Sequence, residues 1–164
     1  KKRKMKKFKT MMAMMLALVA MCVTFSACSS DDDDNKTTAA AAEVVGTYEG
    51  DMTLKVSSSE STSSNMTFKI EKVDDNHVNV ILPAFGEAPM ALPSITVKNL
   101  LVTGSNGSFS IPESTFDQTL ESGKSISSTA IKATFANGKM HIEFAMKYGS
   151  MPFVMSCTSD ATKK

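Results

Sequence analysis

The amino-acid sequence predicts an all-β domain, a single antiparallel up-and-down barrel of about eight strands with at most one short helix. Residues 44–56 and 131–148 alternate apolar and polar side chains, which is typical of strands with one buried face. Asn137-Gly138 lies between two alternating segments and is the strongest short signal for a β-hairpin. No strand–helix–strand alternation occurs, so the pattern excludes a parallel sheet. A two-sheet β-sandwich fits the number of strands almost as well and remains the alternative.

The first third of the domain predicts three strands. The first strand runs over residues 44–56, and its apolar face carries Val44, Tyr48, Met52, Leu54 and Val56. Gly46 and Gly50 lie on the same face and indicate a bend or a close approach of two backbones. The serine-rich residues 57–65 predict a polar loop. Beyond it, the alternation of Met66, Phe68 and Ile70 predicts a second strand, the Asp74-Asp75-Asn76 turn follows, and Val78, Val80 and Leu82 face inward on the third strand.

The middle of the domain is less regular. Residues 83–93 contain three prolines and predict a loop, and strands are expected at 95–102 and 108–111 around a turn at 105–107. Residues 112–123 form the one helix candidate. Ser114 offers a cap, Phe116 and Leu120 are four residues apart, and Gly123 is a natural stop.

The last third returns to clear alternation. Ile131, Ala133 and Phe135 lead into the Asn137-Gly138 turn, and the next strand places Met140, Ile142, Phe144, Met146 and Tyr148 inward. Phe153, Met155 and Cys157 are expected to continue the inward series. Cys157 is the only cysteine in the predicted domain, so a disulfide within one chain is excluded, and we expect a buried thiol.

The N-terminal residues have the layout of a secretory signal, with basic residues up to Lys9 and an apolar stretch over 11–25. Phe25-Ser26-Ala27-Cys28 resembles a bacterial lipobox, which implies a signal peptide over 1–27 and lipid attachment at Cys28. An uncleaved membrane-spanning anchor is the alternative, although a spanning helix normally needs about 20 residues. Residues 28–42 are expected to form a flexible acidic tether, and 43–164 the barrel domain.

A short acidic run directly follows the lipobox cysteine. It resembles the export signal of Bacteroides-type surface lipoproteins, which implies a lipid-anchored protein on the outer face of the outer membrane. The residues of this predicted signal are Ser29, Ser30, Asp31, Asp32, Asp33 and Asp34.

The head of the first strand also carries a resemblance. Val45-Gly46-Thr47-Tyr48 is similar to the Gly-x-aromatic opening of lipocalins and avidins, although tyrosine stands where lipocalins have tryptophan. Together with the signal, the tether and Ile95-Thr96-Val97-Lys98-Asn99-Leu100, it resembles the calycin-like barrel lipoproteins of the Bacteroides group. The resemblance implies a barrel open at one end and brings no established activity.

Charge excludes several classes of function. Downstream of the predicted signal peptide the chain has 11 lysines, 17 acidic residues and no arginine, which gives a net charge of −6. Nucleic-acid binding depends on neutralising phosphates, and arginine is the usual bidentate partner of phosphate. We therefore exclude nucleic acid as a partner and disfavour phosphoryl transfer.

Few residues suggest catalysis or metal binding. His77 lies beside a turn, and His141 lies two positions from Glu143 on a polar strand face, where cross-strand charge pairing is expected. The Asp74-Asp75-Asn76 turn lacks the spaced oxygen ligands of a calcium loop. The sequence therefore predicts no catalytic residue, no metal, no cofactor and no enzymatic activity.

The predicted inward faces are rich in methionine and phenylalanine, which can line an adaptable pocket or fill a tapered core. In the first case the protein binds a small apolar or amphipathic ligand inside the barrel. In the second, its loops or outer face contact a host molecule, a glycan or a partner lipoprotein. The candidate pocket residues are Tyr48, Met52, Met66, Phe68, Phe135, Phe144, Met146 and Met155.

Overall fold

The computed structural model describes residues 39–88 and 91–164. The predicted signal peptide, Cys28, Ser29, Ser30 and the run from Asp31 to Asp34 lie outside the described residues. The described chain contains one short helix, α1 (Ala40–Val44), and the strands β1 (Gly46–Val56), β2 (Ser59–Lys72), β3 (His77–Leu82), β4 (Ile95–Leu101), β5 (Thr103–Ser105), β6 (Ser108–Ser114), β7 (Asp117–Thr119), β8 (Ser125–Ala136), β9 (Lys139–Tyr148) and β10 (Met155–Lys163).

These strands form one antiparallel sheet in the order β4-β3-β2-β1-β10-β9-β8-β6-β5, with β7 also paired to β8. Only Val102 separates β4 from β5, and two residues separate β6 from β7, so each pair is one interrupted barrel strand. Counted in this way, the ten strands make eight barrel strands, and each barrel strand pairs with the next one in the sequence. Pairing of β5 with β6 nearly closes the ring. The predicted up-and-down barrel is therefore confirmed, and the sandwich alternative is wrong.

A β-bulge bends the long hairpin of β1 and β2. Gly50 pairs with Met66 and Met52 with Ser63, so two residues of β2 oppose Asp51 alone. Asn65 adopts a left-handed backbone with φ of 58°, and its backbone N–H donates to Asp51 Oδ1 at 3.3 Å. Such bulges bend the strand and increase its twist. The bulge therefore changes the direction of β2 between its first part, residues 59–63, and its second part, residues 66–72.

The hydrophobic core fills the barrel, and α1 closes one end of it. Ala41 and Val44 of this helix are buried in the core, and the Ala41 backbone N–H donates to the Asp75 carbonyl oxygen at 3.1 Å. The folded domain therefore begins a few residues before its predicted start at Glu43. The close backbone approach predicted at the glycines is present at Gly50, where a Cβ atom would collide with the Asp160 carbonyl oxygen.

Two predicted elements were wrong. The segment 112–123 is not helical: β6 continues to Ser114, the three residues of β7 pair with β8, and a turn follows. Phe116 and Leu120 are four residues apart, an even separation that also places two side chains on one face of a strand. The loop expected over 57–65 is mostly the first half of β2, which pairs with β1 from Ser59 onward.

The inward series predicted for the last strand holds for Met155 and Cys157 but not for Phe153. The side chain of Phe153 is 54% exposed, because residues 151–154 connect β9 to β10 without strand structure and do not continue the alternation. Within residues 39–88 and 91–164, no helix has the length and apolar character needed to cross a membrane.

Candidate functional site

A cleft of about 680 Å³ opens at the end of the barrel opposite α1. It lies where the β1–β2 hairpin turns, beside the start of β10 and the chain that follows β3. Its lining combines apolar residues of the strands with small and acidic residues of the rim. The residues that line it are Met52, Leu54, Val56, Ser59, Glu60, Ser61, Thr62, Ser63, Met66, Ala84, Phe85, Gly86, Glu87, Ala88 and Met155.

The early end of β3 creates this cleft. β3 pairs with β2 only over Lys69–Lys72 and ends at Leu82, directly before Pro83. Proline has no backbone N–H to donate and therefore does not extend a strand ladder. Beyond that point β2 has a strand only on its β1 side among the described residues, and the chain over 84–88 forms the opposite wall of the cleft.

The wall over 84–88 is held to the barrel by Phe85. Phe85 and Leu92 exchange backbone hydrogen bonds, with N–H to O distances of 3.1 and 2.8 Å. The Phe85 side chain is buried, and its ring lies edge-on to Phe144 with 6.0 Å between centroids. This anchor keeps the cleft wall in a defined position.

Thioether and aliphatic side chains form the floor of the cleft. Met52 and Met155 are buried, whereas Leu54, Val56 and Met66 are only partly buried and face the open space. Methionine side chains adapt to irregular shapes and are common at promiscuous binding surfaces. The floor can therefore accept apolar groups of varied shape.

The rim of the cleft is polar and acidic. Cross-strand pairing places Ser59 opposite Val56, Ser61 opposite Leu54 and Ser63 opposite Met52, so these serines share the inner face with the floor. Glu60 and Glu87 also line the cleft, and no described lining residue is basic. The lining thus offers hydroxyl groups and negative charge beside an apolar floor.

Three predicted pocket residues, Met52, Met66 and Met155, meet in this cleft. The other five do not line it, because they are packed inside the closed part of the barrel, although Phe144 supports Phe85 from behind. They are Tyr48, Phe68, Phe135, Phe144 and Met146. Sequence reasoning missed the wall over 84–88, for which the proline-rich composition of residues 83–93 was the available signal.

His141 belongs to a charged network on the outer face of the barrel. Its Nδ1 lies 2.7 Å from Asp160 Oδ1, its Nε2 lies 3.1 Å from Glu143 Oε1, and Lys132 Nζ lies 3.1 Å from Glu143 Oε2. Hydrogen bonds to Asp160 and then Glu143 raise the pKa of His141, and the bond from His141 contributes most to lowering the pKa of Glu143. The imidazole ring thus links strands β9 and β10 through Asp160.

His77 also contacts a carboxylate, that of Asp74, within the turn between β2 and β3. Its Nδ1 lies 2.9 Å from both carboxylate oxygens of Asp74. The backbone N–H of Asn76, followed by the His77 side chain, lowers the pKa of Asp74. In the part of the chain that the structure describes, no three His, Cys, Asp or Glu side chains are grouped so as to hold a metal ion.

The chain folds into an antiparallel up-and-down barrel with α1 at one end and a cleft at the other, which is the architecture of small closed β-barrels. The family model for the calycin-like β-barrel domain matches residues 44–159. The chain therefore belongs to the calycin-like β-barrel domain family, and the predicted resemblance to calycin-like barrels is confirmed.

A crystal structure from Bacteroides fragilis NCTC 9343, named a "putative outer membrane protein", has a similar fold, with a TM-score of 0.66 and 23% sequence identity. The match covers 77% of this chain and 53% of that one, so this chain spans about half the length of the solved protein. At this identity the likeness shows a common fold. No curated protein matches the sequence.

Proposed function

We propose that this protein is a non-catalytic binding module, held at the outer membrane by a lipid on Cys28, that takes a small apolar or amphipathic ligand in the cleft. The observation that carries the proposal is the partial exposure of Leu54, Val56 and Met66 to a cleft of about 680 Å³. Ligand pockets typically have volumes of about 300–1,000 Å³ and a mainly apolar lining with a few polar groups. The methionine floor and hydroxyl rim fit that description.

The position of the N-terminal helix supports an anchored protein whose cleft is accessible. Ala41 bonds to Asp75 at the α1 end of the barrel, whereas Val56 and Ser59 lie at the cleft end. The strand between them, β1, has 11 residues and spans roughly 33 Å at about 3.3 Å per residue. A lipid tether that joins the domain ahead of Ala39 would therefore attach at the end opposite the cleft.

Three observations support the outer-membrane location. The first is Cys28 at the end of a signal-like segment, and the second is the acidic run that follows it. The third is the printed name of the structure with a similar fold. We infer a lipid-anchored protein whose cleft, at the end of the barrel opposite the tether, points away from the membrane surface.

Binding of a neutral apolar fluorophore, N-phenyl-1-naphthylamine, tests the proposed function. The chain from Ser29 onward contains the whole described core and lacks the lipid, so it can be titrated without detergent. Met66→Asp should weaken binding because it places a charge on the apolar floor. Val73→Asp is the control, since it places the same charge on an exposed apolar residue that lies outside the cleft. Equal affinities for the two variants would contradict the proposal.

A further inference from the structure

We propose that the occupant of the cleft is an extended peptide segment that adds to the open edge of β2 as a strand. This inference rests on the proposed function, because it assigns a ligand class to the same cleft. In this binding mode, main-chain hydrogen bonds hold the peptide, and pockets select alternate side chains.

The first argument is the unpaired edge itself. β2 extends over Ser59–Lys72, but β3 pairs with Lys69–Lys72 alone. In an antiparallel ladder, N–H and C=O groups point alternately to the two sides of a strand. On the side away from β1, the backbone groups of residues 59–67 therefore have no strand to pair with among the described residues.

The second argument is where the empty space lies. Cavities that face one surface of a strand meet alternate residues, because side chains alternate between the two faces. This cleft instead meets consecutive residues, from Ser59 through Ser63. It therefore runs along the edge of β2, in the place that a longer β3 would occupy, with residues 84–88 as its far wall.

The floor predicts which side chains the peptide would carry. An extended chain at this edge would direct every second side chain toward Leu54, Val56 and Met66, and the others toward solvent. Apolar residues in the inward positions would fill the floor. We therefore expect a peptide that alternates apolar and polar residues.

Charge selects among such peptides. Glu60 and Glu87 line the cleft, neither forms an ion pair within the described residues, and no described lining residue is basic. Lys55 lies opposite Glu60 in the ladder, so both side chains point to the face away from the floor, and Glu60 borders the cleft at the open edge of β2. An acidic peptide would be repelled, and a neutral or basic peptide is favoured.

A second copy of this chain fits the edge less well. Antiparallel pairing of two β2 strands would present Ser59, Ser61 and Ser63 of the other copy to an apolar floor. These short polar side chains would leave Leu54, Val56 and Met66 uncovered. The apolar floor therefore favours a different sequence as the partner.

The test uses the chain from Ser29 onward and an acetylated, amidated heptapeptide of alternating valine and threonine with one central lysine. Amide hydrogen exchange should slow on alternate residues of 59–67 when the peptide binds, because only the edge-facing N–H groups gain a partner. Methylating the peptide amides that face β2 should weaken binding at least about tenfold, whereas methylating the opposite set should not.

The role of charge has its own control. Replacing the lysine of the peptide with glutamate should weaken binding, and the double variant Glu60→Gln, Glu87→Gln should remove that difference. Glu121→Gln changes a glutamate that does not line the cleft and should leave the difference intact.

Three outcomes would overturn the inference. If the neutral fluorophore binds and no peptide does, the ligand is a small molecule, and the proposed function stands without this inference. If neither binds, both proposals fail. If the same amides are protected without peptide in a concentration-dependent way and the mass doubles, the edge pairs with a second copy.

Discussion

The Tyr48 hydroxyl donates a hydrogen bond to the Val44 carbonyl oxygen at 2.8 Å and ties β1 to the helix that precedes it. The Tyr48 ring also packs against Phe135, with 5.7 Å between ring centroids. Burial raises the pKa of Tyr48 to about 12, so the hydroxyl stays protonated and able to donate at physiological pH. This residue closes the α1 end of the barrel and lies away from the cleft.

Tyr48→Phe should lower the free energy of unfolding by about 1 kcal/mol, because the Val44 carbonyl loses its partner while the ring remains. Urea unfolding of the purified domain measures the change. Tyr148→Phe is the control, since Tyr148 is also buried but forms no side-chain hydrogen bond to the described residues. If both variants lowered the free energy of unfolding equally, the hydrogen bond from Tyr48 to Val44 would make no contribution of its own to stability.

Met146→Ala and Met66→Ala should differ in their effect on stability. Met146 is fully buried and does not line the cleft, so its truncation leaves a cavity and should cost about 2–5 kcal/mol. Met66 faces the open cleft, where water can fill the space left by truncation, so the loss should be below about 1 kcal/mol. Urea midpoints measure both. A loss of stability for Met66→Ala as large as that for Met146→Ala would mean that Met66 is packed in the hydrophobic core and does not face an open cleft.

Cys157 should resist thiol reagents in the folded protein. Burial raises the pKa of its thiol to about 12, so almost no reactive thiolate is present at neutral pH. Labelling with a maleimide should proceed only as the domain unfolds. A Cys157→Ser, Ser156→Cys variant moves the thiol to the neighbouring exposed position and should be labelled rapidly. Similar labelling rates in the two folded proteins would contradict the buried position.

The network around His141 predicts a pH-dependent stability. Because Asp160 and Glu143 raise the folded-state pKa of His141, its stabilising contribution is complete below the unfolded value of 6.5 and is lost as pH rises through the folded pKa. His141→Gln should therefore destabilise the domain at about pH 5 and differ from wild type by less than about 0.5 kcal/mol at about pH 9. Thermal unfolding at both pH values measures this.

Asp160→Asn removes the main partner of His141 and should reproduce the acid-specific loss. A His141→Gln effect of equal size at both pH values would indicate a packing role instead. The effect should also shrink in high salt, because the network lies on the exposed outer face.

Local alternation was sufficient to predict most of the barrel. In β9, the alternation of apolar and polar residues identified every inward residue from Met140 to Tyr148, because the whole segment is one regular strand without a bulge. It failed for 59–65, whose serines and threonines are exposed on both faces and pair with β1 through the backbone. A polar strand of this kind carries no hydrophobic signal.

The candidate cleft was only partly predictable for a different reason. Met52, Met66 and Met155 could be grouped because they lie on strands with a readable inner face. Phe85 lies in an irregular segment, and its position depends on its pairing with Leu92. That contact is formed in the folded chain and has no periodic pattern in the sequence.

The lipid anchor and the acidic signal make separate predictions. Cys28→Ala should abolish incorporation of labelled fatty acid, since the cysteine thiol is the expected attachment site. One acyl chain gives only marginal membrane binding, so a stable anchor requires two lipid signals. Replacing Asp31, Asp32, Asp33 and Asp34 with alanine should leave fatty-acid labelling intact and protect the barrel from protease added to whole cells. Persistent labelling of the Cys28→Ala chain would refute lipidation at this residue. Continued protease access to the alanine variant would refute the export role alone.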